Sequence, residues 1–299
     1  MSCDQSTAPI NIPSSSSVYP CDLKCAYTFD YGNSNCNISN EQSYIKLMYD
    51  KSSNAKAITY NKINLHVQEI RIYSPSLHKY NGKQVDAELL IIHGGNGINL
   101  IVSVPIVAGT KISKGGSLLN DIIYQGAKSI TNLGESASLG IDNYNMNHIV
   151  PKKPYFSYSG TMLVPPCIGV YNYIVFDKEH AINISKISLK QIKKIIEPLP
   201  IKIRNTEPFY NKLGPNVSIN SSDEIYIECN PTGDSGEVLL YSNNSKDNGD
   251  FEAQFDEFMK SPIFKILTAI AMILFAVGLF NMIVQRFTSK HVGAGNNYS

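Results

Sequence analysis

The stretch from Val67 to His93, VQEIRIYSPSLHKYNGKQVDAELLIIH, constrains the fold more than any other part of the 299-residue chain. Its first half alternates with a period of two, the pattern of a strand with two unlike faces. Val67, Glu69, Arg71 and Tyr73 are expected on one face, with Gln68, Ile70 and Ile72 on the other. Asn81-Gly82 suits positive backbone φ and marks a turn. Ala87 to Ile92 then supplies the next strand, so the chain is expected to be mainly β.

Further strands are expected at Tyr44–Leu47, at Ile98–Val104 where Pro105 closes the run, at Tyr155–Val164 and at Val170–Phe176. Residues 109–147 are rich in Gly, Ser and Asn around an apolar run, Leu118–Ile123, and read as loops and a helix on the sheet surface. Ser188 with Gln191 three residues on has capping-box spacing and is expected to open a helix over 189–196. Cys21, Cys25 and Cys36 lack the histidine and spacing of a zinc module, and read as one local disulfide or as buried thiols. His66, His148 and His180 fall in no motif.

Charge is unevenly placed. Residues 1–220 carry 21 Lys and Arg against 15 Asp and Glu, residues 221–261 carry 2 against 10, and residues 262–299 carry 3 against none. A basic head, 1–220, followed by an acidic polar stalk, 221–261, points to an anionic partner for the head, with scattered solvated lysines as the plainer alternative. Within 262–285, the 19 residues Ile266–Val284 are long and apolar enough for a transmembrane helix. Arg286 and Lys290 in the tail, 286–299, place that tail inside and the head outside. The N-terminus has neither the basic nor the apolar region of a signal peptide, so a tail-anchored protein is expected. Cys229 in the stalk is a candidate for an intermolecular disulfide, and thus a homodimer or oligomer, or for a free thiol.

The Val67–His93 stretch resembles the zinc-site hairpin of the α-class carbonic anhydrases. Ala8-Pro9-Ile10-Asn11-Ile12, the run Gly160–Cys167, the helix start at Ser188 and Arg204–Phe209 resemble further landmarks of that family in the same order, over about residues 5–218. The resemblance implies an α+β fold on a large central, mostly antiparallel sheet. It also places Arg71, Tyr73 and Leu90 at the three zinc-ligand positions. A guanidinium repels a divalent cation, a phenol is a poor substitute for imidazole, and leucine has no lone pair. The family's threonine pair becomes Leu163-Val164, its orienting loop carboxylate Leu77, and its proton-shuttle histidine aligns with Gln42, whereas Glu88, His78 and His93 match. The chemistry is therefore expected to be lost, with no metal and no other cofactor. Extracellular members pair cysteines at the positions of Cys3 and Cys167, which implies that disulfide here.

With its predicted C-terminal anchor, such a head resembles the carbonic anhydrase-like cell-surface-binding proteins of poxvirus virion membranes. That resemblance implies binding of cell-surface glycosaminoglycan, notably chondroitin sulfate, through a basic cleft. The candidate contacts are Lys46, Lys51, Lys56, Lys62, Arg71, Lys79, Lys83, Lys111 and Lys114. Arg71 has a second reading, as an ion pair with Glu69 or Glu88. Adhesion to a protein receptor, a structural virion role and residual hydratase activity with a relocated metal are the alternatives. No nucleic-acid partner is expected.

Overall fold

The computed structural model describes residues 3, 5–21, 24–50 and 58–217. They belong to one compact unit, Met1–Asp223. The stalk, the apolar run, the tail and Cys229 lie outside the described residues, as do Lys51 and Lys56. Among the described residues no helix is long and apolar enough to cross a membrane.

A mixed sheet of twelve strands forms the centre. From one edge it runs β10 (Ser136–Leu139), β3 (Cys36–Asn40), β4 (Ile45–Met48), β6 (Ile63–Tyr73), β8 (Ala87–Gly95), β9 (Ile98–Ala108), β12 (Tyr171–Phe176), β11 (Tyr155–Gly160) and β14 (Phe209–Asn211). β13 (Ile182–Ile184) also lies on β9, and β2 (Tyr27–Phe29) joins β6 through β5 (Ile58–Tyr60). Within this sheet β9 is parallel to β12 and β13, and the other pairings are antiparallel. β1 (Asn11–Ile12) and β7 (Lys79–Tyr80) form a separate parallel pair.

Both faces of the central strands are covered, which is why β8 reads as a continuous apolar run rather than an alternation. Leu89 and Ile91 point to one core with Ile70, Ile72, Val102 and Val104. Helices α1 (Lys114–Gly126) and α2 (Lys186–Ile195) add Leu118, Leu119, Ile122, Ile123, Leu189 and Ile192 to it. Leu90 and Ile92 point the other way, into a second core with Tyr73, Ile101, Phe156, Tyr158, Leu163, Val164 and Tyr173.

Three local expectations are corrected. Val67 does not share a face with Arg71: the pairing of β6 with β8 slips between Val67 and Glu69, a β-bulge that leaves Gln68 without an opposite residue. The extra residue shifts the alternation by one, so Val67 joins Ile70 and Ile72 in the first core. Pro105 does not end β9, which runs on to Ala108. Its missing N–H is tolerated because Pro105 falls in the gap between β12, paired as far as Ser103, and β13, paired from Ile106. Ser188 does not cap α2: Ser185 does, its side chain accepting the Ser188 N–H, and Ser188 is buried in the first turn.

At the predicted turn, Asn81 and Gly82 have φ of 49° and 81°, as a type I′ turn requires. Gly116 lets α1 lie against β13, since a Cβ there would stand 1.8 Å from the Asn183 carbonyl oxygen. A disulfide joins Cys3 to Cys167, a second joins Cys21 to Cys25, and Cys36 is a buried free thiol. The first closes a separation of 164 residues, so it removes much freedom from the unfolded chain. Replacing both cysteines by serine is expected to lower unfolding free energy by about 2–5 kcal/mol, measured by urea titration.

Candidate functional site

The bulge that re-phases β6 sets Glu69, Arg71 and Tyr73 in sequence along one face. Arg71 sits beside Lys46 of β4 on one side and Leu90 of β8 on the other. Each of its guanidinium nitrogens has a partner: Nε donates to Glu69 Oε1 at 2.9 Å and Nη2 reaches the same oxygen. Nη1 donates to the Tyr73 hydroxyl at 3.3 Å, and the group lies 4.8 Å from the Tyr44 ring centre. Lys46 Nζ stands 3.4 Å from the other Glu69 oxygen. Burial opposes the Arg71 charge, but Tyr73 and Glu69 more than offset it, raising its pKa. Burial pushes the Tyr73 phenol up to about 12, with Arg71 pulling the other way. Of the two ion-pair partners foreseen for Arg71, the structure selects Glu69.

Leu90 is 1% exposed and packs in the second core with Tyr73, Leu163 and Val164. The three positions that the family resemblance gives to zinc ligands thus hold a paired guanidinium, a protonated phenol and an alkyl group. These residues do not fit zinc. Among the described residues, no three of His, Cys, Asp and Glu are grouped to hold a metal ion.

The two matching histidines have their ring nitrogens committed elsewhere. His78 Nδ1 lies 2.5 Å from Glu88 Oε1, and its Nε2 lies 2.7 Å from the Tyr158 hydroxyl. Glu88 Oε2 accepts the N–H groups of Leu77 at 2.6 Å and His78 at 3.0 Å, and Ser103 donates to Oε1. Leu77, lacking the expected carboxylate, serves through its backbone. Burial alone would raise the Glu88 carboxyl, but His78 and these donors hold it below the usual carboxylate value. His93 Nδ1 lies 3.3 Å from the Leu100 carbonyl oxygen, so it carries the proton. Nε2 therefore accepts from the Tyr31 hydroxyl at 2.9 Å, which in turn accepts from Tyr27 at 2.7 Å. This tyrosine chain had no signal in the sequence, because its members come from elements that only the sheet brings together.

The candidate lysines are dispersed. Lys46 and Arg71 meet through Glu69. Lys62 is exposed at the β5–β6 turn, at the opposite end of β6 from Arg71 and about 30 Å away at the rise of an extended strand. Lys79 is half-buried in β7, and Lys83 is exposed just beyond the Asn81-Gly82 turn. Lys111 and Lys114 are exposed at the start of α1. Gln42, at the turn between β3 and β4, donates to Glu197 at 2.9 Å.

One basic surface went unnoticed in the sequence. Lys186, Lys190 and Lys194 are exposed at four-residue spacing along α2, with Lys193 beside them and Lys128 just beyond α1. The spacing itself was the available signal, since residues four apart share one helix face.

The eukaryotic-type carbonic anhydrase family model matches residues 2–209, and the chain belongs to that family. It is 23% identical over 169 residues to alpha carbonic anhydrase 7 of Arabidopsis thaliana, covering 54% of this chain and 57% of that protein. It is 24% identical over 182 residues to a dioscorin of Dioscorea japonica, covering 61% and 62%. The chain thus spans less than two thirds of the length of either relative. A solved dioscorin complexed with ascorbate shares the fold, with a TM-score of 0.58 at 19% identity, covering 69% of this chain and 86% of that one.

The buried polar groups set an acid response. Burial lowers the His93 pKa from 6.5 to about 3, so the unfolded chain takes up a proton below pH 6.5 that the folded protein refuses. Glu88, held below 4.5, acts in the same direction at lower pH. Stability is expected to fall on acidification from pH 6.5, by up to about 1.4 kcal/mol per pH unit from His93. A His93→Gln variant should show a flatter stability profile between pH 6.5 and 5 in urea titrations, whatever its stability at neutral pH.

Proposed function

We propose that the chain is a non-catalytic member of its family, an attachment protein whose head binds sulfated cell-surface glycosaminoglycan. The observation that carries the loss of catalysis is the Glu69–Arg71–Tyr73 cluster beside Leu90, which supplies no ligand set for a divalent cation. The support for an anionic partner is the basic balance of residues 1–220 against the acidic stretch that follows. Long sulfated polymers are recognised by several separated cations, with guanidinium and ammonium groups making charge-assisted bonds to sulfate. The apolar run Ile266–Val284 fits a single membrane anchor, with the basic tail inside and the head outside, and a virion membrane is the setting the reading assigns. The acidic stalk would hold the head away from an anionic membrane.

A protein receptor is the second reading. Ile168 and Val170, next to the Cys3–Cys167 disulfide, are 68% and 74% exposed, an apolar corner of the kind that partners cover.

Immobilised chondroitin sulfate and heparan sulfate are expected to retain the protein saturably, with affinity falling steeply as salt rises. Soluble chondroitin sulfate should then block binding to cells. Cell binding that persists under this competition supports the receptor reading instead.

A further inference from the structure

The two cations that meet on the sheet face carrying Arg71, Arg71 itself and Lys46, already have an internal partner. Arg71 and Lys46 share one carboxylate, Glu69, and the Arg71 side chain is only 14% exposed. A polyanion arriving there would compete with Glu69 for both of them.

The seam between α1 and α2, on the other face of the sheet, has the opposite character. A cavity of about 180 Å³ is lined by Ala127, Lys128, Thr131, Gln191, Lys194 and Ile195, with no carboxylate among them. Neither Lys128 nor Lys194 forms an ion pair among the described residues. Gln191 Oε1 is buried and has no hydrogen-bond donor. Such an acceptor calls for an O–H or N–H from a ligand or a water.

The cavity continues into a second, of about 420 Å³, which shares Thr131, Lys194 and Ile195 and runs past Asn132 and Lys193 to Gln42. Glu197, which lines this second hollow, accepts from Gln42, and Glu135 nearby accepts from Thr131 and Asn132. Lys193 Nζ stands 3.9 Å from Asp86 Oδ1. Lys186 and Lys190 extend the positive stripe along α2. Two adjoining hollows bordered mainly by lysines and neutral amides, with Glu197 at the far end of the second, match an extended anionic chain better than a single small ion.

We propose that the α1–α2 seam is the site where the head holds its anionic polysaccharide. A sulfate or uronate carboxylate sits between Lys128 and Lys194, and a sugar hydroxyl or acetamido N–H donates to Gln191 Oε1. The polymer continues along the stripe of α2 and toward the β3–β4 turn. This rests on the glycosaminoglycan reading above and moves the contact from the Arg71 face to the helix face.

The test compares chondroitin sulfate binding by the full 299-residue chain in non-ionic detergent with three double variants over a salt series. K128S/K194S is expected to weaken binding by about tenfold or more and to flatten its salt dependence. K152S/K153S, which removes the same charge from the exposed loop before β11, should stay within about twofold of the parent. K46S/K83S probes the Arg71 face. A parent chain that binds, with K128S/K194S unchanged or with the larger loss in K46S/K83S, overturns the seam site alone. A parent chain that binds no sulfated glycan at low salt overturns the glycosaminoglycan reading and the seam site with it.

Discussion

Burial of β8, β9 and the Ile70–Tyr73 end of β6 on both faces is the constraint from which the other features follow. A strand covered on one face can turn its polar residues to water, but these cannot. The polar side chains enclosed there, Arg71, Tyr73, Glu88, His93 and Ser103, are therefore each held by a partner inside the protein. Glu88 gathers two backbone N–H groups, an imidazole and a hydroxyl, and so pins the loop before β7 to the centre of the sheet. His93 is kept neutral between a backbone carbonyl and a chain of two tyrosines. Removing one member would leave the others buried and unpaired, a larger penalty than the bond itself is worth.

The same constraint explains what stands where the family resemblance places a metal. A buried arginine needs a carboxylate, and Glu69, two residues back on the same face, is the nearest one the strand can supply. The resulting cluster is self-contained, closed by Tyr73 and by the Tyr44 ring. Leu90, Leu163 and Val164 pack around the Tyr73 ring in the same core. The Arg71 charge is balanced by Glu69 and the space beside it is filled with apolar groups, an arrangement that favours stability over chemistry.

Much of the fold was legible because its signals are local. Period-two alternation, the Asn81-Gly82 turn and the apolar run Leu118–Ile123 each mark an element without reference to the rest of the chain. What escaped depends on neighbours in space. The bulge at Gln68 reverses the facing of Val67, and only the pairing with β8 reveals it. Pro105 is admitted to β9 because two different strands flank it on one edge. Ser185 caps α2 where Ser188 offered the more familiar spacing, because Ser188 is needed inside. For the site, the sequence offered Glu69 and Glu88 as partners of Arg71, and the choice between them depends on the side-chain geometry along β6. The lysines of α2 carry their signal in helical spacing, which the family landmarks around the cleft do not contain.

The central claim is that the family fold is kept while the positions that the family resemblance gives to zinc ligands are held by an ion pair and apolar packing. Zinc titration by calorimetry, with CO2 hydration assayed on the same samples, tests it most directly, using the wild-type chain and R71H/Y73H/L90H. The account predicts no stoichiometric zinc uptake and no hydration by the wild type, and one zinc per chain in the triple variant. Stoichiometric zinc and hydration in the wild type would contradict it.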